Sequence, residues 1–300
     1  MAQHLSNVQE YKEFLDKFDV FLFDCDGVIW HGKNPIPQVK ETLDLMRSMG
    51  KRLFFVSNNS TKSRQTYLKK ITDLGIEANL NEIYPSAYSS AVYIKKVLKL
   101  PSDKKVFVFG EKGIEEELDE VGVAHIGGTD PSLNRNITSA DMDTIRPDPS
   151  VGAVLCGMDT KLNYLKYCMA FQYIQDPNCA FLLTNQDSTF PTNGTFFPGS
   201  GAVSYPLIFS SGRTPKILGK PYGEMMDAIE AGVNFDRKRA CFVGDRLNTD
   251  IQFAKNSGLG GSLLVLTGVN QLEHFQGKED AIVPDYYIES LGHLAQAASL

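Results

Sequence analysis

The sequence predicts an α/β protein built on a parallel sheet with helices on its faces. Three observations predict it. Wholly apolar four-residue runs, such as Val20-Phe21-Leu22-Phe23 and Leu53-Phe54-Phe55-Val56, read as strands buried on both faces. Segments with apolar residues at helical spacing separate them, as at Val39, Leu43, Met46 and Met49. Glycines stand where those segments should stop, at Gly50 and Gly75.

The elements follow in order. After the helix marked by Tyr67, Leu68, Ile71 and Leu74, further strands are expected at 106–109, 153–156, 181–183, 241–243 and 263–266. Helices are expected at 86–98, 113–120, 162–174, 223–231 and 250–256. One segment breaks the rhythm. Residues 129–150 are polar, rich in Asp, Asn and Pro, and show no apolar period. They read as a long surface loop.

Composition limits the function classes. The 300 residues are 42% hydrophobic and 22% charged, enough apolar side chains for a sizeable core. The net charge of −6 and the absence of any long run of Lys and Arg argue against a nucleic-acid partner. The polar first ten residues lack the apolar stretch of a signal peptide, and no apolar run is long enough to span a membrane. The five cysteines show no zinc or thioredoxin spacing, and Cys25, Cys156 and Cys241 sit in or beside apolar runs as buried thiols. A cytoplasmic enzyme, with some residence in the nucleus left open, is the expectation.

Four segments carry chemistry, each at a strand end or before a helix, where ligands of open α/β sheets collect. Asp24-Cys25-Asp26-Gly27 follows the first apolar run. Asp24 can attack phosphorus, and Asp26 can protonate the leaving oxygen and later deprotonate water. Ser57-Asn58-Asn59-Ser60-Thr61 follows the second strand. Its hydroxyl and backbone N–H groups suit a phosphate, with Ser60 or Thr61 capping the next helix. In Gly219-Lys220-Pro221, Lys220 is a point charge for a phosphate and for holding Asp24 ionised. In Gly244-Asp245-Arg246-Leu247-Asn248-Thr249-Asp250, Asp245 can share a hard cation with Asp24, while Asp250 and Asn248 can fix Lys220 or a metal-bound water. Alone, each segment also reads as an ordinary turn, surface charge or helix cap. Their order and strand-end placement carry the reading together.

The four segments resemble the four motifs of the haloacid dehalogenase superfamily, in its eukaryotic 4-nitrophenyl phosphatase and phosphoglycolate phosphatase branch. The resemblance implies a Rossmann-like core with an inserted α/β cap. Roughly 160 residues separate the second and third motifs, too many for one loop. The core is expected at 1–99 and 214–300, the cap at 100–213. The resemblance further implies Mg²⁺ on Asp24, the backbone carbonyl of Asp26, and Asp245, with phosphate on Ser57, Asn58, Asn59 and Lys220. Thr184-Asn185-Gln186-Asp187-Ser188-Thr189-Phe190-Pro191 resembles the family's substrate-specificity loop, with Phe190 where pyridoxal phosphate phosphatases carry a histidine. A homodimer through the cap is also implied.

The expected activity is Mg²⁺-dependent hydrolysis of small phosphomonoesters, such as 4-nitrophenyl phosphate or 2-phosphoglycolate-like metabolites, through an aspartyl phosphate on Asp24. Two alternatives stay open: a phosphoprotein or pyridoxal phosphate phosphatase, and a non-catalytic phosphate-binding protein.

Overall fold

The structure, a computed structural model, describes residues 2–192 and 195–299. The chain divides into two compact units, one of 1–57, 65–84 and 220–300, the other of 58–64 and 85–219.

The first unit is built on a seven-stranded sheet. Its strand order is Gln3–His4, Tyr286–Ile288, Gly261–Val265, Ala240–Gly244, Val20–Phe23, Arg52–Ser57 and Ile83–Pro85. The pairings from Gln3–His4 across to Arg52–Ser57 are parallel. Burial on both faces explains why its central strands are apolar throughout. Phe21, Phe23, Leu53, Phe55, Cys241 and Val243 share one buried cluster with Tyr11, Phe14 and Leu15 of the helix Val8–Lys17 and with Val39, Leu43 and Met46 of the helix Val39–Ser48. On strand Ala240–Gly244, Phe242 packs edge to face with Phe253 at 5.3 Å. Burial of each such side chain contributes about 1.5–3 kcal/mol relative to exposure.

Register is what builds the site. Phe23 lies opposite both Val243 and Phe55. The residues that follow, Asp24, Gly244 and Val56, therefore emerge together at the carboxyl edge of the sheet. Asp24 continues the ladder by donating its N–H to Val243 O at 2.9 Å.

The second unit has a parallel five-stranded sheet, in the order Lys216–Ile217, Ala180–Leu183, Val151–Cys156, Lys105–Phe109 and His125–Gly127. Alternation divides its strands between two cores. Phe107, Phe109, Val154, Cys156, Phe181 and Leu183 pack with Ala170, Tyr173 and Ile174 of the helix Tyr164–Ile174. Val106, Val108, Ala153, Leu155 and Leu182 pack with Ala87, Ala91 and Ile94 and with Ile114 and Leu118. An antiparallel hairpin joins Thr189–Thr192 to Thr195–Pro198.

Every strand and helix expected from the sequence is present within a few residues. The helix expected at 86–98 is an α-helix over Ser86–Val92 continued by a π-helical turn over Tyr93–Leu98. It packs with the second unit, and the units part near Pro85 and Gly219, whereas the sequence places those boundaries at 99 and 213. Two expectations need correction. The segment 129–150 is not only loop: it holds a short helix, Ser139–Thr144. Thr138 and Asp141 cap its first turn reciprocally, and Arg135 grips Asp141 with two bonds of 2.6 Å. Ser60 and Thr61 cap no helix, because the helix after the second strand begins at Arg64. Cys25, Cys156, Cys179 and Cys241 are buried free thiols. Among the described residues no helix is long and apolar enough to cross a membrane.

Candidate active site

Three carboxylates meet beyond the carboxyl ends of strands Val20–Phe23 and Ala240–Gly244. Asp24, Asp245 and Asp250 each offer an oxygen within 4.8 Å of the other two. Lys220 Nζ enters this cluster, 2.6 Å from Asp24 Oδ1 and 2.8 Å from Asp250 Oδ1, and donates to Val56 O at 2.9 Å. Lys220 is buried, so its charge is neutralised by these partners rather than by water.

The three acids differ in what their oxygens already hold. Asp250 Oδ2 accepts the N–H groups of Asp245 at 3.1 Å and Arg246 at 3.0 Å, while Oδ1 faces Lys220. Asp250 is thereby a scaffold that fixes both the lysine and the loop carrying Asp245. Asp245 Oδ2 accepts one N–H, from Val269 at 2.8 Å. Asp24 keeps the most accessible side chain, 13% exposed against 2% for Asp250. The reachable carboxylate is thus the one at the end of the central strand.

Electrostatics set this cluster apart from a structural ion pair. Burial pushes the Asp24 carboxyl up to about 7, against the pull of Lys220. Burial, with Asp250 and Asp24 nearby, pushes Asp245 well above the usual carboxylate range. Burial opposes the Lys220 charge, but Asp24 and Asp250 push its pKa up. Three buried acids around one lysine leave negative charge in excess, and a divalent cation would relieve it. Carboxylate oxygens are the ligands that hard cations take. The donor set therefore fits a divalent cation.

Glycine makes the close approach possible. Gly27 sits at φ +88°, and a Cβ there would stand 2.6 Å from Asp245 Oδ2. The loop after strand Gly261–Val265 backs the same carboxylate. A Cβ on Gly268 would collide with Asp245 Oδ2, and Asn270 binds back with its N–H to Asp245 O at 3.0 Å and its Oδ1 to Leu247 N at 2.8 Å.

The remaining sequence-derived residues are placed as follows. Asp26 lies outside the carboxylate cluster, with Oδ1 accepting from Trp30 Nε1 at 2.8 Å. Ser57 ends its strand, and its hydroxyl lies 3.0 Å from the Tyr67 hydroxyl. Asn248 shares the turn of Asp250, with its side chain exposed. Asn58, Asn59 and Phe190 belong to the second unit. Asn59 Oδ1 accepts from Thr61 N and Oγ1, both at 2.8 Å. Phe190 stands on the hairpin, edge to face with Phe197 at 6.0 Å.

Sequence reading misses four supports: Trp30, Tyr67, Val269 and Asn270. Tyr67 reads as one more apolar-face residue of a helix. The Thr267-Gly268-Val269-Asn270 loop was findable, because it too directly follows an apolar strand and carries a glycine.

A family model described as haloacid dehalogenase-like hydrolase matches residues 21–124, and a second, of HAD-hydrolase-like proteins, matches 217–294. The chain is 74% identical to a 4-nitrophenylphosphatase of Schizosaccharomyces pombe over 298 residues, covering 99% of this chain and 100% of that one. It is 40% identical to a chloroplastic phosphoglycolate phosphatase of Arabidopsis thaliana, covering 97% and 79%. Among solved structures, a glycerol phosphate phosphatase from Mycobacterium tuberculosis, in complex with magnesium, superimposes with a TM-score of 0.77 at 27% identity, covering 95% and 79%.

Proposed function

The chain belongs to the haloacid dehalogenase-like hydrolases as a phosphatase, and from that premise we propose that it hydrolyses small phosphomonoesters through an aspartyl phosphate on Asp24. One observation carries the reading: the most accessible carboxylate of the cluster, Asp24, stands at a strand end 2.6 Å from a buried lysine and within reach of Asp245.

In the first step an Asp24 oxygen bonds to phosphorus as the bond from phosphorus to the leaving oxygen breaks. Asp26 gives that oxygen its proton. In the second step water attacks the phosphoryl group, Asp26 takes the water's proton, and the bond between Asp24 and phosphorus breaks, releasing inorganic phosphate. Lys220 offsets the negative charge that gathers on the phosphoryl oxygens. Ser57 donates its hydroxyl to one of them. Mg²⁺, held by Asp24, Asp245 and the backbone carbonyl of Asp26, would supply further positive charge against the phosphate.

The substrate class rests on the relatives. Their named activities are all on small phosphomonoesters, from 4-nitrophenyl phosphate to phosphoglycolate and glycerol phosphate. A phosphomonoester panel ranked by kcat/KM, with and without Mg²⁺, tests the reading. Phosphate release that is Mg²⁺-dependent and favours small alkyl phosphates is expected. Release equal in EDTA, or absent from the whole panel, would overturn it.

Asp26→Ala is expected to lose roughly 10²–10⁴-fold in kcat with alkyl phosphates. The loss should shrink with 4-nitrophenyl phosphate, whose leaving group needs little protonation. Equal losses with the two substrates would remove Asp26 as leaving-group acid.

A second copy of the chain is the expected partner, through the second unit. There Tyr205 and Phe209, one helical turn apart, are 61% and 80% exposed, and Phe196 and Phe197 are exposed on the hairpin. Light scattering should give twice the chain mass, and a monomer at micromolar concentration would reject the dimer.

A further inference from the structure

We infer that Trp30 is a positioning residue for proton transfer: its indole N–H holds one oxygen of Asp26, so that the other oxygen carries the proton to the leaving group. The inference rests on the proposed function and deepens it. Its residues all lie in the first unit.

The local chain brings the two side chains together. Cys25 O accepts the N–H groups of Ile29 at 2.9 Å and Trp30 at 3.2 Å, and Gly27 N donates to Trp30 O at 2.8 Å. This closed turn sets Trp30 beside Asp26, and Trp30 Nε1 donates to Asp26 Oδ1 at 2.8 Å. The antiparallel pairing of Trp30–His31 with Asn34–Pro35 follows directly. Trp30 is fully buried, whereas Asp26 is half-buried and so within reach of a substrate. A buried indole N–H needs an acceptor, and a backbone carbonyl would serve as well. Here the acceptor is the carboxylate assigned to acid and base chemistry.

That pairing has a chemical consequence. The carboxylate torsion of an aspartate is soft, so an unheld Asp26 would present either oxygen. An indole N–H donates and never accepts. Oδ1 takes that N–H best as a carbonyl oxygen, so the acid form of Asp26 carries its proton on Oδ2. The indole is itself held. Lys70 Nζ lies 3.8 Å from the centroid of the Trp30 ring. An ammonium over the ring face draws on its electrons and strengthens the N–H as a donor. The Tyr67 ring, one helical turn before Lys70, lies 6.3 Å from that of Trp30. These contacts keep the indole from turning, and its hydrogen bond passes the fixed orientation to Asp26.

The test is kcat/KM of Trp30→Phe, which loses the N–H and keeps an aromatic ring. This ratio reads the steps through departure of the leaving group and leaves out the later attack of water. With an alkyl phosphate it should fall roughly 10–100-fold, the effect of one hydrogen bond to a charged group. With 4-nitrophenyl phosphate, whose leaving group needs little protonation, it should fall much less. In an Asp26→Ala background, Trp30→Phe should add nothing, because the two act as one unit. No loss, equal losses with the two substrates, or additive losses would overturn the inference. Thermal melting checks folding. If Trp30→Phe does not fold, benzothienylalanine incorporated for the single tryptophan of the chain replaces the N–H by sulfur at nearly constant shape. It should give the same selective loss, and full activity would overturn the inference. Nuclear magnetic resonance reads the contact without turnover. The one indole N–H resonance of the metal-free protein should move upfield in Asp26→Ala, and an unmoved resonance would overturn the inference. A wild type without turnover would sink the proposed function and this inference with it. An active wild type whose Trp30→Phe variant is unaffected would sink the inference alone.

Discussion

Asp24→Asn should lower kcat on the order of 10⁵-fold and leave the fold intact. An amide oxygen does not form the acyl phosphate, so the first bond to phosphorus is never made. The enzyme-bound reaction has a long way to fall, since uncatalysed phosphomonoester hydrolysis is among the slowest reactions that enzymes accelerate. Stability should not fall with activity. The substitution keeps the volume of the side chain, and Lys220 keeps Asp250 at 2.8 Å. One of three crowded acids becomes neutral, which relieves the repulsion that helps push Asp245 up. The thermal midpoint without metal should therefore match or exceed that of the wild type. Acid quenching of the wild type with labelled substrate should trap phosphate on the protein, and the variant should trap none. A variant with ordinary turnover, once deamidation back to aspartate is excluded by mass, would remove Asp24 as nucleophile.

How much of this was legible in the sequence follows from the physics of each element. The central strands were legible because burial on both faces writes a continuous apolar run, as in 20–23 and 53–56. The short marginal strands Gln3–His4, His125–Gly127 and Tyr286–Ile288 were not, because two or three residues carry no period. The helix Ser139–Thr144 escaped for another reason. Its residues bury nothing, and its stability comes from the Thr138 and Asp141 cap and from Arg135. A search for apolar period does not find a helix held by its first turn.

At the site, the chemistry-bearing residues were legible and their supports were not. Asp24, Asp245 and Lys220 are marked by strand ends and loop composition. The partnerships of Trp30 with Asp26 and of Tyr67 with Ser57 depend on how far each side chain reaches in the folded chain. Asp250 falls between. Its place one helical turn after Asp245 was visible, but its service to both the lysine and two backbone N–H groups needed coordinates.

Lys220→Met tests that arrangement from the opposite side, and it should cost both stability and rate. The substitution keeps a long unbranched side chain and removes the only charge that balances Asp24 and Asp250 among the ion pairs described. Breaking a buried pair by removing one partner costs about 3–5 kcal/mol, because the other charge stays buried and uncompensated. Here two acids are left, and the Val56 carbonyl also loses its donor. The acids can escape part of the cost by taking up protons, so the loss should be larger at pH 8 than at pH 5. A divalent cation offers the other escape. Mg²⁺ should therefore raise the thermal midpoint of Lys220→Met by more than it raises that of the wild type. The rate is a separate matter, because no acid and no metal replaces an ammonium aimed at the phosphate. With saturating Mg²⁺ and the fold restored, kcat should remain roughly 10²–10³-fold low, the cost of losing one donor aimed at transition-state charge. Lys220→Arg should rescue little, since a planar guanidinium does not fit a point-charge site closed by Asp24, Asp250 and Val56. A Lys220→Met protein as stable and as fast as the wild type would mean that the buried lysine neither balances the carboxylates nor meets the phosphate.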